Sequence, residues 1–117
     1  MKASLLFILI CNLLNASVYE QGKDLYYQNG CNNCHGTEAE GSSYYPRLAN
    51  KKEGYLIEKL EAFKKGEAKS QKAEIMFTFA KGLNEKEIAA IASFLSTFEK
   101  DTSDKYEISD DILGSVD

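Results

Sequence analysis

Two thiols and an imidazole stand within five residues, in Cys31-Asn32-Asn33-Cys34-His35. The two sulfurs can add across two vinyl groups on one edge of a porphyrin. The imidazole that follows then lies under the ring centre and can offer a nitrogen to the iron. Moving the histidine by one position would turn it away, so order matters as well as composition. C-x-x-C-H is the attachment signature of a c-type haem, and His35 is the only histidine in the chain. Three rival chemistries use parts of the same motif. A thioredoxin-like dithiol wants a strand–helix context, and no alternating strand pattern is present. A structural zinc needs four ligands, often as two pairs. The one remaining cysteine, Cys11, lies in the leading apolar run. A disulfide across two residues is strained.

An iron held by one histidine needs a sixth ligand. Beyond the initiating residue, Met76 is the only methionine. A thioether is soft and neutral, so it favours ferrous iron and raises the reduction potential relative to a second imidazole. Many methionines merely fill core gaps. Here no second histidine competes, and Met76 falls in a glycine-bounded stretch read as a loop between two helices. It is therefore expected as the second iron ligand. Lys72 and Lys81 could serve only if Met76 were displaced.

The elements that must hold these groups read as all helical. A first helix is expected from Tyr19 to Asn29, ended by Gly30. Gly36 to Leu48 holds two glycines, two serines and the only proline, and reads as loop. A second helix is expected from Asn50, with Glu53 completing a capping box. Leu56, Leu60 and Phe63 recur on one face, and Lys64-Lys65-Gly66 closes it. Polar residues 67–72 follow, then a short apolar run, Ile75 to Ala80, stopped at Gly82. In the last helix Asn84 and Glu87 form the box. Ile88, Ile91, Ala92 and Leu95 make one apolar stripe, widened by Phe94 and Phe98.

The ends differ from the middle. Lys2 followed by the apolar run Ala3 to Leu14 and the small residues Ala16 and Ser17 reads as an export signal over 1–17. It is shorter than the roughly 20 residues of a membrane span. Residues 18–100 balance acids against bases and make one domain. Residues 101–117 carry six acids against one base, an acidic tail that accounts for the negative net charge. Three readings of the tail stand side by side. It is a solvated end, a segment docked through Tyr106, Ile108, Ile112 and Leu113, or a charged arm that steers or screens a basic partner surface.

The ordered set of motifs resembles the small class I mono-haem cytochromes c of the bacterial periplasmic kind. It runs through Gly22 with Tyr26, Cys31 to Gly36, Tyr45-Pro46-Arg47-Leu48-Ala49, Gly54-Tyr55-Leu56, Phe63 to Gly66, and Met76 followed by Gly82 to Ile88. The resemblance implies three to five short helices around one covalent haem, with the N- and C-terminal helices crossing at Gly22. It implies His35 and Met76 as iron ligands. Pro46 supplies a carbonyl to the far nitrogen of His35, and Arg47 reaches a haem propionate. The implied function is one-electron transfer in the periplasm, without catalysis. A quinol-oxidising complex stands upstream, and a terminal oxidase or peroxidase downstream. No nucleic acid or transmembrane segment enters, and the mature protein is a monomer. Two alternatives remain: a cytochrome subunit held in a larger oxidoreductase, or a haem enzyme or gas sensor with an open sixth position.

Overall fold

The structure, a computed structural model, describes residues 17–99. The expected export signal and acidic tail lie outside the described residues, save Ser17. Five α-helices follow one another, with no strand among the described residues. They are α1 (17–28), α2 (Asn32–His35), α3 (Glu53–Lys64), α4 (Met76–Ala80) and α5 (Glu85–Ser96). A 3-10 turn, Lys72–Ile75, runs directly into α4.

Helix α5 forms where the sequence says it should. The Asn84 side chain accepts from the Glu87 amide at 2.8 Å, and the Glu87 carboxylate accepts from the Asn84 amide at 3.0 Å. Two otherwise orphaned donors are thereby satisfied. Glu85 and Glu87 in the first turn also suit the positive end of the helix dipole. The stripe Ile88, Ile91, Ala92 and Leu95 is buried, with Ala90 and Phe94 beside it.

Helix α1 crosses α5 at Gly22. A Cβ on Gly22 would stand 1.9 Å from the Ala90 carbonyl oxygen, so only glycine lets the two backbones approach this closely. Rings seal the crossing: Tyr19 and Tyr26 pack on Phe94 with centroids 5.2 and 5.6 Å away, and Phe98 packs on it at 5.6 Å. Tyr26, Phe94, Ile88 and Leu95 are fully buried. Burial of such a side chain contributes about 1.5–3 kcal/mol.

Helix α3 packs against both α5 and α4. It buries Leu56, and Ile57 and Leu60 lean on the core half-covered. Its start differs from expectation. Asn50 does not cap it; the helix begins at Glu53 behind Lys52, with no side-chain cap bond. Asn50 instead takes a left-handed φ of 61° and donates its amide to the Leu95 carbonyl at 2.7 Å. A tertiary bond to the end of α5 outweighs the local cap. Met76 also differs from its expected loop setting, since it is the first residue of a short helical turn.

Candidate haem site

Gly30, at φ 75°, breaks α1 and turns the chain into α2. The His35 amide bonds the Cys31 carbonyl at 2.9 Å, so the motif closes one helical turn. Residues three and four apart in such a turn share a face, which gathers Cys31, Cys34 and His35. Both cysteines are free thiols, Cys31 half-buried against the core and Cys34 exposed. Burial pushes the Cys31 thiol up. Two free thiols one turn apart suit thioether attachment rather than a disulfide. Among the described residues, no three His, Cys, Asp or Glu side chains converge as a metal site.

His35 is 7% exposed, and its Nδ1 lies 2.9 Å from the Pro46 carbonyl oxygen. A carbonyl can only accept, so Nδ1 carries the proton and the lone pair is on Nε2. The ring is thus fixed in the tautomer a metal-binding nitrogen needs. Pro46, singled out by resemblance, is the residue whose carbonyl this nitrogen meets.

The backbone around His35 is held from two sides. From α1, the Tyr26 hydroxyl donates to the Gly36 carbonyl at 2.6 Å, and the Tyr27 hydroxyl donates to the Thr37 carbonyl. Burial, with lesser contributions from Cys31 and other neighbours, holds the Tyr26 phenol well above the ordinary tyrosine range. From the following loop, the Gly41 amide donates to the His35 carbonyl at 2.8 Å. Ala39, fully buried at φ 52°, accepts the amides of Leu48 and Ala49. Sequence reading passes over Gly41, Ala39 and Tyr27. The only signal for Gly41 was a second glycine five residues after Gly36.

Arg47 is exposed, and its Nε donates to the Ala49 carbonyl at 3.3 Å. Met76 is half-buried at the start of α4. A chain of contacts links its segment to the histidine side. The Tyr45 ring lies 6.3 Å from His35 and 4.9 Å from Tyr44. Lys72 then donates to the Tyr44 carbonyl, with its ammonium 3.5 Å from the Tyr44 ring centroid. A hydrogen bond to Cys34 is the main cause that raises the Tyr45 phenol pKa.

The remaining apolar surface fits a large flat group. Ile57, Leu60, Phe63, Met76 and Phe77 are all half-covered, and Phe63 and Phe77 lie 6.4 Å apart. Ile75 and Phe79, on either side of Met76, are 63% and 40% exposed. A surface of partly covered apolar side chains, in a chain with one thiol pair and one oriented imidazole, fits a porphyrin plate.

The comparisons agree. The profile of the family described as Cytochrome c matches residues 19–99. Cytochrome c-554(548) of Halomonas halodenitrificans is 36% identical over 70 residues, covering 59% of this chain and 84% of that protein. Cytochrome c-554(547) of Halothiobacillus neapolitanus is 31% identical over 86 residues, covering 67% and 93%. Cytochrome c-552 of Acidithiobacillus ferridurans is 28% identical over 81 residues, covering 69% of this chain but only 34% of that longer protein. The chain belongs to the cytochrome c family, and with a haem held covalently through its paired cysteines it is a one-electron carrier rather than an enzyme.

Proposed function

We propose that His35 and Met76 would hold the haem iron as its two protein ligands, and that the protein shuttles single electrons between periplasmic redox partners. The His35–Pro46 hydrogen bond carries this reading. It leaves Nε2 free as a donor and strengthens it, because a proton shared with a carbonyl makes the imidazole more electron-rich. Met76 supports the second position through its chemistry and through the Lys72–Tyr44 contact, which ties its segment to the loop carrying Pro46. When bound, the haem supplies an iron that gains and loses one electron at a potential set by those two donors. The residues' task is to hold both donors still, so that little moves when the charge changes. With Nε occupied by the Ala49 carbonyl, Arg47 keeps its terminal NH2 groups for a propionate.

The residue 1–17 pattern supports export. No helix among the described residues is long and apolar enough to cross a membrane. A quinol-oxidising complex as donor and a terminal oxidase or peroxidase as acceptor suit such a carrier, which works as a monomer.

Met76→His tests the ligand pair. It should keep a low-spin haem and lower the potential, because a second imidazole stabilises ferric iron better than a thioether. Redox titration reads this directly, and an unchanged potential would mean that Met76 is not bound.

A further inference from the structure

We propose that Gly41 tunes the reduction potential by fixing how closely the Pro46 carbonyl approaches the haem histidine. The inference rests on His35 as an iron ligand. Gly41 has φ +67°, where side chains are rarely tolerated. Its amide holds the His35 carbonyl at 2.8 Å. A Cβ at Gly41 would stand 2.5 Å from the Arg47 nitrogen, 2.7 Å from the Pro46 carbonyl carbon and 2.7 Å from the Tyr45 oxygen. All three are backbone atoms, so no side chain can swing away to relieve the collision. Gly41 therefore touches both ends of one hydrogen bond: the backbone of the residue that donates it and the carbonyl carbon of the residue that accepts it.

The turn between them is closed. The Ser42 amide donates to the Tyr45 carbonyl at 2.8 Å, and the Ser42 hydroxyl accepts the Tyr44 and Tyr45 amides at 3.1 Å each. Tyr45 and Pro46 thus move together with the turn. The His35–Pro46 bond is 2.9 Å long, within a window that closes near about 3.2 Å. A displacement of a few tenths of an ångström is enough to weaken it. A weaker bond leaves the imidazole a poorer donor, ferric iron loses more than ferrous, and the potential rises.

Gly66 separates this effect from ordinary backbone strain. It has a similar φ of +78°, but a Cβ there meets nothing within 4 Å. The test uses holoprotein, with equilibrium redox titration and NMR exchange of the His35 Nδ1 proton. Gly41→Ala should shift the potential upward and speed that exchange several-fold. Gly66→Ala should destabilise the fold and change neither. Ser42→Ala, which adds no bulk and loosens the same turn, should move both readouts in the Gly41→Ala direction by less, and it decides the matter alone if Gly41→Ala yields no holoprotein. Unchanged potential and exchange in the turn variants, or an equal shift in Gly66→Ala, would overturn the proposal. The unmodified ferric protein separates the two readings. Haem-shifted imidazole resonances from His35 without any variant effect overturn only the role of Gly41; absence of those resonances overturns the ligand reading and this one together.

Discussion

The Tyr26 hydroxyl is fully buried and spends its one donor on the Gly36 carbonyl, next to His35. Tyr26→Phe keeps the ring packed on Phe94 and removes only that bond. Denaturant unfolding should show a loss of about 1 kcal/mol. Burial raises the folded pKa of this phenol above its unfolded value. The unfolded chain therefore ionises first, above about pH 10. Stability is fully present below that pH and falls as pH climbs through it. The alkaline slope should shrink in Tyr26→Phe, and an unchanged slope would contradict the assignment. At this scale the sequence was most readable where chemistry is local. Cys31, Cys34 and His35 sit three and four residues apart, and one helical turn brings them together. Gly41 and Lys72 were not readable as site-ordering residues. Gly41 meets the Pro46 carbonyl through an irregular turn that leaves no periodic mark, and Lys72 meets Tyr44 from 28 residues away in the chain.

Among the elements, the α1–α5 crossing is the frame on which the site is built. Gly22→Ala would drive a Cβ into the Ala90 carbonyl and the Phe94 Cβ, the latter at 2.9 Å. The helices must separate, and overpacking of this kind costs about 1–3 kcal/mol. A thermal melt of the holoprotein should show a clearly lower midpoint, and an unchanged midpoint would mean that the helices do not cross there. The extent of α5 and its capping box were legible because an apolar stripe and a reciprocal Asn–Glu pair leave strong local marks, whereas the crossing at Gly22 was expected only from the family resemblance. The start of α3 was not legible. Asn50 and Glu53 have the spacing of a capping box, yet the Asn50 amide is drawn to Leu95 and its backbone turns left-handed. The turn at Met76 was misread as loop for a related reason: five helical residues are too few to show a periodic face.

Across the whole molecule the fully covered core is lopsided. Most of it sits on α1 and α5, while residues 57–79 contain no buried side chain among their many apolar ones. A haem seated against that segment would supply the missing cover. Removing the haem should therefore speed amide exchange most in α3 and α4 and least at the α1–α5 crossing; equal protection in holo and haem-free chains would contradict this. The central claim is that His35 and Met76 close both faces of the iron, and ligand access to the intact protein tests it most directly. Carbon monoxide added to the native ferrous protein should leave the spectrum unchanged, and the ferric protein should show the weak red-edge absorbance of a thioether–iron bond. Rapid carbon monoxide binding, with that absorbance missing, would contradict the account.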